Sequence, residues 1–446
     1  YKDYNKAIKY SEPINWSTIP TTDTWSPGKN NNPFNSESGI VCLKYDDLEI
    51  PYTHNITLNN MEFHFNSADV EVNVGAKLIL NNTKLMPETG CNGNVIFSGV
   101  YLRGQDNQDQ TCNNQSYFYM HNSEMENSYT GIIVEGGAIC QITGSNFLNN
   151  MLGITFQNYT HPAVPSYNMS FLSNNNFEIS GLTNIGYNFD YIIALYNVKG
   201  VDISSCDFMN TRDITVGADQ RGRAIYNGFS NTHINSCNFD GFYYGIKSYS
   251  GTPKITNSNF TNNYRGALIE SPYLAEITAN DFDAEYDFYA PIPSGSLNPY
   301  EDYNYSLYIA GDGLSSSIYE AKDNVIANGQ IGSIFYNTGE NSAEIINNSF
   351  NNVDGVTNAA ATIVIGQNSD FVSGDPNHIG EEGLQFRCNQ FIGNPYALSV
   401  IDGNMRRYQG EQNASSGEDY AGNEFDHFNS SYGDFFVGFV NNPGFD

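Results

Sequence analysis

The sequence predicts an all-β solenoid, and a repeated six-residue pattern is the main reason. The pattern is clearest in Ile234-Asn-Ser-Cys-Asn-Phe239, Ile255-Thr-Asn-Ser-Asn-Phe260 and Ile277-Thr-Ala-Asn-Asp-Phe282, which follow one another at intervals of 21 and 22 residues. A fixed period in this range is typical of solenoids. Between the hexads lie short β-type runs broken by Asn, Ser and Gly, without the i, i+3, i+4 apolar spacing of helices. We therefore expect each repeat to form one rung of a parallel β-helix.

The hexad recurs along most of the chain and predicts about 13 rungs. Its copies begin at Ile56, Leu80, Met120, Ile142, Leu172, Ile203, Ile234, Ile255, Ile277, Ala321, Ile345, Phe386 and Tyr420. No charged residue stands at position one, four or six of any copy. Because stacking places like residues on like, we predict that position four faces inward as a polar column at a turn. Position six, which is Phe in nine copies, should form an aromatic stack in the core.

The spacing of the hexads defines the expected domain organisation. Residues 1–50 lack the hexad and contain both tryptophans. Since an open solenoid end exposes unpaired strand edges, we interpret this segment as an N-terminal cap, with a partner-binding tail as the alternative. Residues 51–430 form the predicted β-helix, and 431–446 a C-terminal cap or tail. Intervals between hexads vary from 21 to 44 residues, which places the largest loops at about 87–117, 284–318 and 352–384.

Composition limits the partners of the 446-residue chain. Its 19 basic and 49 acidic residues give a net charge of −30, which argues against nucleic acid or an anionic bilayer as the general partner. No apolar run approaches the ~18 residues of a spanning helix, so we expect no membrane insertion. Many Asn, Ser and Thr residues together with the acidic bias favour a secreted or cell-surface protein. Because the chain opens at Tyr1, we expect a mature chain or a fragment. The sequence does not indicate an oligomeric state.

Seven cysteines leave an odd count. Cys91 and Cys112 flank the first large loop, and we predict a disulfide that staples it. Cys206 and Cys237 occupy position four of consecutive hexads. We interpret them as two reduced thiols that pack as small hydrophobes, with a disulfide as the alternative. No C-x-x-C spacing of a zinc site occurs.

An acidic strand follows the hexad that begins at Ile277. In Asp281-Phe-Asp-Ala-Glu-Tyr-Asp-Phe288 the residues alternate strictly between acidic and apolar. As a strand this stretch places four carboxylates on one face: Asp281, Asp283, Glu285 and Asp287. Such a face either binds calcium, the only cofactor that the sequence indicates, or remains a solvated acidic surface.

A basic cluster interrupts the acidic sequence. Six of the 19 basic residues fall within 54 positions: Arg212, Arg221, Arg223, Lys247, Lys254 and Arg265. With Tyr300 and Tyr303 of the loop, whose rings suit sugars, these side chains would bind an acidic glycan, and Arg212, Arg221 or Arg223 would serve as the base of a β-elimination. The alternative is ordinary surface pairing with carboxylates, which contributes little energy.

The repeat resembles a known family. Ile142-Thr-Gly-Ser-Asn-Phe147 and Ile345-Ile-Asn-Asn-Ser-Phe350 are similar to rungs of the right-handed parallel β-helix proteins of the pectin-lyase-like superfamily, and in particular of the exported Asn-rich repeat proteins on the surface of Bacteroidota. The resemblance covers about residues 56–425 and implies a right-handed helix. That superfamily includes lyases, hydrolases, esterases, tailspikes and adhesins, so it does not decide the function.

Signatures of the enzymes in this superfamily are nearly absent. Of the Asn-Thr-Asp, Asp-Asp, His-Gly and Arg-Ile-Lys motifs of polygalacturonase-like hydrolases, the only match is Asp46-Asp47. The hexads also lack the stacked acidic residues of pectate-lyase-like calcium clusters. We therefore predict a non-catalytic binding or adhesive module for a glycan or a surface protein. The alternative is a polysaccharide lyase or glycoside hydrolase that acts on an acidic polysaccharide.

Overall fold

A computed structural model describes most of the chain. It covers residues 8–10, 13–34, 37–44, 47–88, 97–111, 113–159, 168–180, 190–212, 221–284, 304–311, 318–336, 342–351, 360–365, 383–393, 396–401, 412–413, 417–418, 422–426 and 435–437. These residues form parallel strands, one 3-10 turn at Trp16–Thr18 and no α-helix. The predicted all-β class and parallel β-helix fold are therefore confirmed.

The chain divides into two compact units. Unit 1 comprises Tyr1–Tyr226 and Ser230–His233, and unit 2 comprises Asn227–Phe229 and Ile234–Asp446. In each unit, successive rungs contribute one strand to each of three faces, which we call sheets A, B and C.

Unit 1 contains the first strands of all three faces. Sheet A holds Ile8–Tyr10, Ile40–Lys44, Glu62–Asn66, Lys84–Pro87, Glu124–Glu126, Asn146–Leu148, Asn176–Ile179 and Asp207–Asn210. Sheet B holds Thr22–Trp25, Asn55–Asn59, Lys77–Asn81, Tyr117–His121, Ile139–Thr143 and Phe171–Ser173. Sheet C holds Leu48–Ile50, Val70–Val72, Val100–Leu102, Ile132–Val134, Ile154–Tyr159 and Tyr191–Ser204, the last of which runs on into sheet B. Two strands extend across the boundary of the units, Arg223–Gly228 and Asn231–Asn235.

Unit 2 repeats the arrangement. Sheet A holds Asn238–Asp240, Asn259–Asn263, Asp281–Ala284, Val325–Ala327, Ser349–Asn351, Gln390–Ile392 and Glu424–Asp426. Sheet B holds Thr252–Thr256, Leu274–Thr278, Ile318–Lys322, Ser342–Ile346 and Gly383–Arg387. Sheet C holds Tyr244–Tyr249, Arg265–Glu270, Tyr305–Ala310, Ile331–Tyr336, Ala360–Ile365, Tyr396–Ile401 and Phe435–Val437. A short antiparallel pair, Gln412–Asn413 with Gly417–Glu418, stands apart from these sheets.

The hexad forms the sharp turn from sheet B to sheet A. Position three has a left-handed backbone in all twelve copies from Leu80 onward, with φ between 46° and 66°. Asn, Ser, Asp and Gly dominate this position because short polar side chains and glycine tolerate that conformation best. The turn directs position four inward and starts the next strand with position six in the core. Apart from the half-buried Asn423 of the last copy, position four is fully buried in these copies, as predicted.

In unit 2 the inward column is an asparagine ladder. The backbone N–H groups of Asn280, Asn324, Asn348 and Asn389 each donate to the Oδ1 atom one rung on, ending at Asn423, over 3.0 Å. Each of the four Nδ2 groups donates to the same Oδ1 atom and to the position-one carbonyl of the preceding hexad. The ladder therefore satisfies buried polar groups that the turn leaves without strand partners.

In unit 1 smaller residues make the same column. The N–H group of Thr83 donates to Ser123 Oγ over 3.0 Å, and Ser123 donates to Ser145 Oγ over 3.2 Å. Ser145 in turn donates to Asn175 Oδ1 over 3.0 Å. Hydroxyl and amide oxygens thus serve the same acceptor role at this turn.

The predicted aromatic stack is present in both units. In unit 1 Phe177 lies between Phe147 and Phe208, with ring centroids 4.8 and 4.9 Å away. In unit 2 Phe260 lies between Phe239 and Phe282, at 4.7 and 4.5 Å. Position six therefore builds the core of sheet A.

The first predicted hexad has the wrong register. Leu58, rather than Ile56, pairs with Leu80, and the left-handed residue of this rung is Asn60. Position four is therefore Met61, which is buried, while Asn59 lies at the edge of the turn. The error arose because Ile56 and Leu58 are two residues apart and both face inward, so that either fits an apolar position one.

Strands also occur in the segment assigned to the N-terminal cap. Thr22–Trp25, Ile40–Lys44 and Leu48–Ile50 pair in parallel with the strands of the following rung. Trp25 and Phe34 are buried, with ring centroids 5.6 Å apart. A capping role for this segment stays a prediction.

Candidate functional site

The outer face of sheet C in unit 1 carries a cluster of exposed and half-buried aromatic and polar side chains. We call it the Tyr196 site and define it by Gln157, Asn158, Asp190, Tyr191, Tyr196, Asn197, Arg223 and Tyr226. The strands Ile154–Tyr159, Tyr191–Ser204 and Arg223–Gly228 provide these residues. In these strands Ile154, Ile193, Leu195 and Ile225 are fully buried. The rigid β-helix therefore presents the site as a fixed surface.

Three tyrosines form the aromatic part of the site. Tyr196 is 38% exposed, and its ring centroid lies 6.4 Å from that of Tyr191 and 5.4 Å from that of Tyr226. The Tyr191 ring meets Tyr196 edge-on, whereas the Tyr226 ring is tilted by 49°. Such contacts hold the Tyr196 ring in place, so it offers a preformed apolar surface to a ligand.

Burial, followed by a hydrogen bond to Tyr191, raises the pKa of Tyr196 well above its ordinary value. The Asp190 carboxylate, and Tyr226 when it is itself ionised, act in the same direction, since each would repel a phenolate at Tyr196. Tyr196 is therefore a neutral phenol at neutral pH. It suits hydrogen bonding and ring stacking, and it does not suit the role of a phenolate base.

Polar groups surround the three rings. Gln157 is the register partner of Tyr196 and is exposed. Asn158 and Asn197 follow these two residues in their strands, and Asn197 Nδ2 donates to Asn158 Oδ1 over 2.6 Å. Arg223 forms an ion pair with Asp190 and donates to it through Nη1. The site thus combines aromatic faces, carboxamides and one ion pair.

Of the three predicted catalytic arginines, only Arg223 belongs to this site. Asn210 connects two of them, since its Oδ1 accepts from the Arg212 N–H over 3.2 Å and its Nδ2 donates to the Arg221 carbonyl over 2.8 Å. Burial lowers the pKa of Arg212, the direction that a base requires, whereas Arg223 is paired with Asp190. Their catalytic role stays a prediction.

The remaining basic residues lie in unit 2, on two different faces. Lys247 and Arg265 belong to sheet C and Lys254 to sheet B. Lys247 lies 3.4 Å from Glu270, and Lys254 lies 2.6 Å from Glu276. Both lysines are therefore paired with carboxylates, and the predicted role of Lys247 and Arg265 in glycan binding stays a prediction.

Arg265 is buried in a cage of tyrosines. Its guanidinium carbon lies 5.1 to 5.3 Å from the ring centroids of Tyr243, Tyr244, Tyr264 and Tyr305. Nη1 also donates to the Tyr244 hydroxyl. Although burial disfavours the charge, these tyrosines, Tyr305 first, raise the pKa of Arg265. Arg265 therefore stabilises the aromatic packing of unit 2 from within.

The described part of the acidic strand has the predicted alternation. Asp281 and Asp283 are exposed on sheet A, while Phe282 and Ala284 are buried. Burial and the charge of Asp283 raise the pKa of Asp281. Asn328 Nδ2 donates to Asp283 Oδ1 over 2.7 Å. Within the described ranges, no group of three or more His, Cys, Asp or Glu is arranged to hold a metal ion, and the calcium site stays a prediction.

Several predicted positions lie outside the described residues. They are Glu285, Asp287, Tyr300, Tyr303, Cys91 and Cys112, so the loop tyrosines and the disulfide stay predictions. Cys206 and Cys237 are buried, reduced thiols, as expected, and their Sγ atoms donate to the Ser204 and Asn235 carbonyls.

One carboxylate pair escaped the sequence analysis. Glu124 and Glu126 on sheet A both bond Lys84, whose Nζ atom lies 2.5 and 2.6 Å from them. Burial alone would raise the pKa of Glu124, but hydrogen bonds from Glu126 and Lys84 lower it. Burial and the hydrogen bond to Glu124 raise the pKa of Glu126. Separated pKa values resemble an acid/base pair. Here, however, both carboxylates are paired with the same lysine ammonium.

The tyrosines of the Tyr196 site were also missed. Tyr191-Ile-Ile-Ala-Leu-Tyr196 has the appearance of an apolar core strand, and only the strand register shows that Tyr196 faces outward. A useful signal was available, because Tyr226 stands at a similar place in the strand before the next hexad.

Solved structures show distant likenesses. The chain is similar to the periplasmic alginate epimerase AlgG, with 9% identity, coverage of 96% of this chain and 83% of that chain, and a TM-score of 0.34. It is also similar to PfbA, a surface adhesin of Streptococcus pneumoniae, with 13% identity, coverage of 82% and 80%, and a TM-score of 0.22. Likenesses this distant carry no argument about function. No curated protein sequence matches the chain.

Two further findings concern the class of protein. Within the described part of the chain, no helix has the length and hydropathy of a membrane span. Residues 98–282 match the family model described as "Right handed beta helix region". This match, together with the parallel strand pairing, confirms the predicted right-handed parallel β-helix fold.

Proposed function

We propose that this protein is a non-catalytic, glycan-binding β-helix of the cell surface or the secreted fraction, and that the Tyr196 site is its binding surface. The observation that carries the proposal is the exposed Tyr196 ring, held between Tyr191 and Tyr226 and bordered by carboxamides. Sugar rings have apolar C–H faces that stack on aromatic rings. Their hydroxyl groups form hydrogen bonds with side-chain amides and with charged side chains. A protein ligand is the competing partner, and it would bind without any glycan.

Replacing Tyr196 with alanine is expected to weaken glycan binding about tenfold, a change of ~1.4 kcal/mol, because it removes the stacking surface. Wild type and variant are compared on an array of neutral and acidic oligosaccharides. Binding of the strongest oligosaccharide is then measured by titration calorimetry.

Tyr129 provides the matched control, since it is 40% exposed in unit 1 but lies outside the Tyr196 site. Tyr129→Ala should bind as the wild type does. Equal binding by wild type and Tyr196→Ala, or no binding to any oligosaccharide, would contradict the proposal.

The same reasoning predicts no turnover of polyuronates. Tyr196 is a neutral phenol, Arg223 is paired with Asp190, and Lys84 lies between Glu124 and Glu126. Purified protein incubated with pectin, alginate or chondroitin should therefore give neither the ultraviolet absorbance of unsaturated uronates nor new reducing ends. Sustained product formation that Arg212→Ala abolishes would establish the lyase alternative.

A further inference from the structure

Unit 2 carries an exposed phenylalanine in an unfavourable backbone conformation. Phe229 is 55% exposed and has a φ of 53°. At the equivalent turns of the next two rungs of unit 2, the positive φ belongs to Ser250 and Ser271, which are small and polar. A bulky side chain strains this conformation, whereas Asn and Ser accept it more readily. The fold therefore does not require a phenylalanine here.

A second exposed ring completes a platform. Tyr249 is 41% exposed, and its ring centroid lies 5.2 Å from that of Phe229, with the rings at 83°. The Phe229 N–H donates to the Tyr249 carbonyl over 2.8 Å, so the backbone fixes the two rings relative to each other. Two exposed rings in fixed, edge-to-face contact form a rigid apolar surface at this corner.

The two lysines of unit 2 that flank Tyr249 in the sequence, Lys247 and Lys254, are both paired with glutamates. Glu270 is the register partner of Tyr249 and pairs with Lys247 over 3.4 Å. Lys254 on sheet B is likewise paired with Glu276. The charge of these two lysines is thus offset by carboxylates, and the net charge of −30 disfavours a polyanion.

We infer that Phe229 and Tyr249 form a ring-stacking subsite for an uncharged sugar. The inference rests on the proposed glycan binding and adds to it a second contact surface and the class of ligand. Ring stacking supplies the contact, and the absence of repulsion favours neutral glycans over polyuronates.

The inference is tested by affinity electrophoresis of the full chain. Native gels contain hydroxyethylcellulose, xylan or galactomannan as neutral probes, and alginate or polygalacturonate as acidic probes. Phe229→Asn and Tyr249→Ala should each lower the affinity for the neutral probe, derived from the retardation, about tenfold. Tyr273→Ala, which removes an exposed ring of unit 2 outside the platform, is the matched control and should behave as the wild type does.

Stability separates a binding role from a structural one. Because asparagine accepts a positive φ, Phe229→Asn should raise Tm by about 2 to 4 °C while it weakens binding. A lower Tm for Phe229→Asn, or unchanged retardation in both variants, would overturn the subsite.

The remaining outcomes separate the two proposals. If Tyr196→Ala loses retardation and both platform variants keep it, glycan binding stands and the subsite fails. If alginate or polygalacturonate retards the protein more than every neutral probe, the assignment to uncharged sugars fails. If no polysaccharide retards the wild type, the proposed function fails as well.

Discussion

Phe260→Ala is expected to lower the free energy of unfolding by about 3 to 5 kcal/mol. The Phe260 ring is buried between Phe239 and Phe282, with centroid distances of 4.7 and 4.5 Å. Its removal leaves a cavity bounded by two rings that the strand pairing holds in register, so the site has little freedom to collapse. Urea unfolding followed by circular dichroism measures the loss.

Phe425→Ala is the matched control for this prediction. It occupies the same hexad position, stacks on Phe391 at 5.0 Å and is 41% exposed. We expect it to cost clearly less than Phe260→Ala, because water already reaches part of the ring. A loss below ~1 kcal/mol for Phe260→Ala would show that the stack does not stabilise the core.

Asn348→Ala is expected to cost about 3 kcal/mol or more, since it breaks the asparagine ladder at a central rung. Asn348 Oδ1 accepts from the backbone and the side chain of Asn324, and its Nδ2 donates to the Ala321 carbonyl and to Asn389 Oδ1. Alanine would leave a buried N–H group and a buried carbonyl without these partners, at about 1 to 3 kcal/mol each.

Asn259→Ala tests whether burial is the cause. Asn259 is exposed on sheet A, and its Nδ2 donates to the neighbouring Asn238 over 2.9 Å. Water replaces that bond, so the change should stay within about 0.5 kcal/mol. Similar losses for Asn348→Ala and Asn259→Ala would refute the role given to the ladder.

The core of each rung was predictable from the sequence because its determinants are local. Within one hexad, position three must tolerate a left-handed backbone, position four must hydrogen-bond inside, and position six must fill the core. The hexad that begins at Ile255 shows all three constraints, in Asn257, Ser258 and Phe260. The first rung failed because Met61 is apolar at a position where polarity usually reveals the register.

The candidate site was less predictable because it depends on which residues meet across rungs. The sequence groups Lys247 and Lys254 in one basic cluster, yet each lies beside a glutamate about one period later in the sequence, Glu270 and Glu276. A comparison of residues at the repeat distance would have revealed these pairs. The exposure of Tyr196 is harder to predict, since alternation in a sheet C strand does not tell which apolar residue faces outward, and the sequence offers only the recurrence of a tyrosine at Tyr226.

The asparagine ladder has a consequence for how such a chain lengthens. Each asparagine donates toward one neighbour and accepts from the other, so every internal position offers and demands the same bonds. An added segment that begins and ends at equivalent hexad positions would join the ladder without a mismatch on either side. The stretch from Ala321 to Ile345 is such a segment, because its two ends pair directly with each other and its position four is Asn324. Tandem duplication of a rung is therefore a step that this architecture accepts, and loops inserted between hexads are free to diverge afterwards.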